Sequence, residues 1–285
     1  MDVTVRPGTP GDAEACGAIC YRAFKALAER HGFAPDFPSA EVAAGLLSGL
    51  LSHPGFHADV AEAGGRVVGS NFIDERSTIA GIGPITIDPE VQDRSLGRLL
   101  MERALARTSE RGVSGVRLCQ AAYHNRSLCL YAKLGFDARE LLSTLQGPPL
   151  GLEIPGTVVR RAGNDDLDAC NRLCRAVHGH DRAGELRDAL AQGAASVVER
   201  AGRITGYTTG IAFFAHAVAE TNQDMKALIG AATAFPGPGF LLPTRNAELF
   251  RWCLEHDLRV VQQMTLMSLG SYQEPAGAFL PSVLY

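Results

Sequence analysis

The chain has 285 residues, of which 46% are hydrophobic and 20% charged, with 27 Lys and Arg against 31 Asp and Glu. That length suits one large domain or two of ordinary size, and the composition is that of a water-soluble globular protein. No apolar run is long enough to span a bilayer, and a net charge of −4 argues against a general nucleic-acid binder, so neither a membrane nor a nucleic-acid partner is expected. An apparent first strand at 3–6 begins almost at the initiator methionine, leaving no room for a signal peptide, and the seven cysteines therefore read as reduced thiols in a cytoplasmic protein.

In chain order, the first strand leads into a helix that carries Cys16 and Cys20 one turn apart, both expected to be small buried apolar residues. The segment 60–69 reads as strand, Gly-containing turn, strand, and its second strand ends at Asp74 and Glu75. The apolar run 82–87 enters the polar turn Asp88-Pro89-Glu90-Val91-Gln92-Asp93-Arg94-Ser95-Leu96-Gly97-Arg98, and a helix follows to about Arg111. A strand at 116–121 precedes a second short helix, Asn125-Arg126-Ser127-Leu128-Cys129-Leu130-Tyr131-Ala132-Lys133-Leu134, with Asn125 placed to cap it and Gly135 to end it in the left-handed region. Proline and glycine crowd 146–156, which marks a linker.

Beyond the linker the design repeats. Val5-Arg6 with Asp12, Cys16 and Cys20 is echoed by Val159-Arg160 with Asp166, Cys170 and Cys174, and the hairpin at 60–69 by 197–206. The helix at Asn125 is echoed at Asn246. Two domains follow, 1–147 and 157–285 joined by 148–156, each alternating strands and helices into a mixed, mostly antiparallel sheet flanked by helices, an α/β (α+β) fold. A final strand is expected at 278–285. His178 and His180 lack a third clustered ligand, so a loop is favoured over a metal site and no metal is expected.

The turn after the run 82–87 carries chemistry. A strand feeding a helix leaves the first-turn N–H groups unpaired at the positive end of the macrodipole, a ready anion site. Gly97 allows close approach of a phosphate, and Arg94 and Arg98 could pair with its oxygens. The alternative is an ordinary charged surface turn. Together with Asn125 through Tyr131-Ala132-Lys133-Leu134-Gly135-Phe136, the turn resembles the GCN5-related N-acetyltransferase family, whose loop has the form Gln/Arg-x-x-Gly-x-Gly/Ala and whose later helix reads Leu-Tyr-x-Lys-Leu-Gly-Phe. Here the loop is Gln92-x-x-Ser95-x-Gly97, with serine where the family usually has glycine.

The resemblance implies two tandem domains of that fold and acetyl-CoA as co-substrate. Gln92, Asp93, Arg94, Ser95, Leu96, Gly97 and Arg98 would hold its pyrophosphate. Ile85, Thr86 and Ile87 would grip the pantetheine arm where the sheet splays, a place that Gly83-Pro84 suits. Tyr131 would be the general acid, and Asn125 would bond the cofactor arm or only cap its helix. Glu75 (beside Asp74) and His124 are the candidate bases, the latter with an ordinary pKa of about 6.5. The second copy has neither Gly nor Arg in Asn222-Gln223-Asp224-Met225 and no tyrosine beside Phe250 and Trp252, so it is expected to be degenerate. The implied activity is acetyl transfer to a primary amine, small-molecule or protein; a non-catalytic acyl-CoA-binding protein and a transferase of another acyl group are the alternatives. A monomer and a homodimer both fit the sequence.

Overall fold

A computed structural model describes residues 3–92 and 95–285. Its first repeat runs β1 (Val3–Pro7), α1 (Ala13–Arg30), α2 (Ala40–Ser52), β2 (Phe56–Ala63), β3 (Arg66–Asp74), β4 (Ile79–Ile87), α3 (Leu96–Glu110), β5 (Gly115–Ala121), α4 (Asn125–Lys133) and β6 (Asp137–Gln146). The second runs β7 (Val158–Arg161), α5 (Leu167–His178), α6 (Ala183–Ala191), β8 (Ser196–Arg200), β9 (Arg203–Thr208), β10 (Ala217–Ala219), α7 (Asn222–Gly230), β11 (Phe240–Pro243), α8 (Ala247–Glu255), β12 (Arg259–Gly270) and β13 (Ala278–Leu280). Among the described residues no helix is long and apolar enough to cross a membrane.

The two repeats share strands. The larger sheet has the order β1-β2-β3-β4-β5-β12-β6-β11, and the smaller β13-β10-β9-β8-β7. Strand β12 lies antiparallel to both β5 and β6, Met264–Gly270 against Ala121–Gly115 on one side and Arg259–Ser268 against Gln146–Asp137 on the other. A strand from the second repeat thus completes the sheet of the first, and Met267 sits in the same core as Tyr131, Leu118 and Met101. Alternation explains how β12 serves two layers: Met264 and Leu266 face one core and Met267 the other. Strand β6 in turn pairs with β11. The segment 148–156 holds no helix or strand, but Leu150 and Ile154 pack on the core of the second repeat.

Two apolar stretches are extended over only part of their length. Of the run 212–220 only β10 is extended, because Phe213 and Phe214 leave the sheet to line a cavity. Of the run 278–285 only β13 is; beyond it Val283 donates to the Phe213 carbonyl at 2.8 Å, and Leu284 packs on the first repeat's core around Phe72. Cys16, Cys20, Cys170 and Cys174 are wholly buried in two equivalent helices. Among the described residues no His, Cys, Asp and Glu cluster has the makings of a metal site. His178 ends α5, and burial holds both its imidazole and that of His180 below the ordinary range, His180 to about 4.

Candidate active site

Strands β4 and β5 are parallel neighbours only from Ile79 to Gly81, paired with Gly115 to Arg117, and then diverge. Two diverging strands leave backbone N–H and C=O groups on their facing edges without ladder partners. The gap opens into a cavity of about 770 Å³. Ile82 to Ile87 of β4 form one wall and Leu118 to Ala121 of β5 the other; the start of α3 and the inward side of α4 close one flank, and the segment between α1 and α2 covers another.

Two buried side chains on these walls have polar atoms left over. Thr86 and Gln120 are 4% and 5% exposed, and neither the Thr86 hydroxyl nor the Gln120 amide nitrogen has a hydrogen-bond partner. Gln120 Oε1 is occupied, accepting from the Ser127 hydroxyl at 2.7 Å. Orphaned buried donors and acceptors cost free energy unless a ligand meets them. A ligand carrying amide groups could meet them.

At the cavity's end stands the first turn of α3. Ser95 precedes it at φ 60°, ψ 11°, in the left-handed region, with no side-chain cap. This backbone reversal is what the usual glycine would supply, and serine holds it here. It points the N–H groups of Leu96, Gly97 and Arg98 outward with no acidic side chain in the turn to satisfy them. A Cβ on Gly97 would meet only Leu130, so its face is open. Gln92, Arg98, Arg126 and Lys133 also line the cavity, and Arg98 pairs with Glu102 at 3.1 Å. Asp93 and Arg94 lie outside the described residues.

Of the candidate acid and bases, two belong to the cavity and one does not. Tyr131 lines it from α4, packed on Phe136 with ring centroids 6.2 Å apart, and its hydroxyl has no hydrogen-bond partner among the described residues. Burial raises its pKa, which keeps the phenol protonated. His124 lines the cavity at the N-cap position of α4; burial, then the charges of Arg126, His31 and Arg30, hold its imidazole below the ordinary range. Asn125 is the first residue inside the helix and not its cap, correcting the expected capping role, although it does reach the cavity.

Glu75 is a correction: it lies outside the cavity, where Arg107 Nε and Nη2 donate to its carboxylate at 2.6 and 3.0 Å and Arg111 approaches to 3.4 Å. A carboxylate so engaged is a structural anchor for α3. Asp74 is likewise held by Arg76, which also binds Asp188 at 2.7 Å. No local pattern marks Asp36, Gln120, Phe213, Phe214 and Met264 as lining the cavity, since they converge from four separate stretches.

The second repeat is built differently at the equivalent points. The N-terminus of α7 already holds an internal anion: Asp224, wholly buried, accepts from Thr205 at 2.7 Å and from Arg200 at 3.1 Å, with Thr221 beside it. Strand β13 pairs with β10, and Ala278 and Leu280 pack with Phe240 and Leu242 of β11, filling the gap that stays open in the first repeat.

A splayed parallel pair, an anion-ready helix start and a buried tyrosine meet at this cavity. The model of the acetyltransferase (GNAT) family matches residues 22–136, most of the first repeat. The chain is 31% identical over 144 residues to the mycothiol acetyltransferase of Tsukamurella paurometabola, covering 48% of this chain. That match spans about half of the relative's length, 49%. Along nearly all its length, 99%, the chain superposes on 92% of a Pyrococcus horikoshii protein provisionally assigned as an acetyltransferase, at TM-score 0.75 and 18% identity. It also covers 98% of a tandem GNAT protein from the clavulanic acid biosynthesis pathway, at TM-score 0.55 and 13% identity over 94% of this chain. These structural likenesses speak to the tandem fold.

Proposed function

We propose that the chain is an acetyl-CoA-dependent N-acetyltransferase with one working site, in the first repeat (1–147), and that the second repeat (157–285) braces that site without binding cofactor. The observation that carries this reading is the cavity between β4 and β5, which joins the left-handed turn at Ser95 to the buried Tyr131. The N–H groups of Leu96, Gly97 and Arg98 would hold the pyrophosphate, with Gln92 and Arg98 beside them. The unladdered backbone of Ile85 to Ile87, with Thr86 and Gln120, would hold the pantetheine arm. When bound, acetyl-CoA supplies an activated acyl carbon.

The chain's own groups manage the protons. His124, neutral because burial and neighbouring cations oppose its charge, accepts the proton that the attacking amine loses. Tyr131, kept protonated by burial, donates to the departing thiolate. The mycothiol acetyltransferase relative supports an amine acceptor.

Calorimetric titration of the full chain with acetyl-CoA tests the reading. One site per chain is expected. Two sites would overturn the assignment of the second repeat, and no binding would overturn the acetyltransferase reading in favour of a scaffold that has lost its cofactor.

A further inference from the structure

We propose that Asp36, positioned by Gln262 of the second repeat, seats the acceptor's ammonium group, so that the acceptor is a cationic amine borne on an apolar, ring-containing body. This rests on the reading of the cavity as an acyl-transfer site.

Asp36 lies between α1 and α2 and is the sole carboxylate among the described residues that line the cavity. It is withdrawn from solvent, and its one hydrogen-bond partner among the described residues is Gln262 Nε2, at 3.0 Å. Among the described residues no cation pairs with it. Burial accordingly pushes its pKa up, the Gln262 amide opposing that. A half-buried carboxylate held by one neutral donor lacks a counter-charge, and a ligand ammonium would supply it.

Gln262 is itself oriented: the Tyr123 hydroxyl donates to its Oε1 at 3.4 Å, turning the NH₂ group toward Asp36. Tyr123 stacks on Phe33 at 4.4 Å and 9°, and Phe24 on Phe37 at 6.3 Å and 20°. Tyr123, Phe24, Phe37, Phe213 and Phe214 share the cavity wall with the carboxylate, giving the cavity apolar and π surface favourable to a cation's organic body. Because Gln262 lies on β12, the strand exchange lets the second repeat contribute directly to acceptor choice.

The test is equilibrium binding of 2-phenylethylamine and of its neutral counterpart 2-phenylethanol to the full chain saturated with coenzyme A. A charged hydrogen-bonded pair predicts that the amine binds about tenfold or more tightly than the alcohol. Asp36→Asn should bring that ratio to about one while leaving coenzyme A affinity unchanged, and Gln262→Leu should lower it several-fold. Equal binding of the two probes by the wild-type chain overturns the proposal without recourse to any variant; so does a preference that survives Asp36→Asn. An Asp36-dependent preference in a chain that binds no coenzyme A would uphold the seat and sink the acyl-transfer reading; the reverse result would do the opposite.

Discussion

Removing the second repeat should unfold the first. A chain ending at residue 147 keeps β1 to β6 and every residue of the proposed cofactor cradle, yet it loses β12 from between β5 and β6. Two full antiparallel interfaces disappear, 264–270 against β5 and 259–268 against β6. They represent roughly a dozen or more backbone hydrogen bonds at about 1 kcal/mol net each. The loss, on the order of 10 kcal/mol before any side-chain burial, is comparable to the whole stability of a domain, about 5–15 kcal/mol. Met267 leaves the core around Tyr131 as well, and β5 and β6 become exposed apolar edges that favour aggregation. The assay is expression of 1–147 alone and together with 148–285, followed by circular dichroism, denaturant unfolding and size-exclusion chromatography. The fragment alone should be unfolded or aggregated, and the co-expressed halves should purify as a one-to-one complex. A soluble monomer of 1–147 that unfolds cooperatively and binds acetyl-CoA would refute the reasoning.

Three further outcomes are expected. Tyr131→Phe should lower kcat about a hundredfold, within the range for a lost general acid, while calorimetry shows acetyl-CoA affinity within about threefold of wild type. Ser95→Val places a β-branched residue at φ 60°; the strain of about 2 kcal/mol should appear as roughly tenfold or greater weakening of acetyl-CoA binding if the turn relaxes, or as a lower thermal midpoint if it does not. A variant unchanged in both would show the left-handed turn to be dispensable. Glu185 is buried between Arg182 and His216, with His216 Nδ1 at 2.8 Å, and these charges together hold its pKa below the ordinary carboxylate range despite burial. Its contribution is therefore present above the unfolded carboxylate pKa and lost as pH falls below it. Glu185→Gln should cost about 3–5 kcal/mol in urea unfolding at neutral pH by stranding its buried partners, and should flatten the acid side of the stability profile.

Much of the first repeat was legible in the sequence because its signals are local. The strand, turn and helix around 82–111 depend on backbone geometry within a few residues, and Gly135 takes φ 95° where a helix end requires it. The repeat pairs, down to Cys16 and Cys170, followed from similarity at matching positions. The lack of glycine and arginine at Asn222 was also readable, although not the buried Asp224 that occupies the helix start. Glu75 went astray because nearness to a strand end does not say which way a side chain turns, and Arg107 decided it.

Tertiary structure alone decided which repeat supplies the strand beside β5. Met264 and Leu266 on one face of β12 and Met267 on the other are all apolar, but such a pattern carries no address for the strand's neighbours. For the same reason no local pattern could announce Asp36 and Gln262, which meet across 226 positions. The sequence by itself determined a tandem α/β fold and the strand, turn and helix over 82–111; the exchange of strands decided that both halves line the cavity.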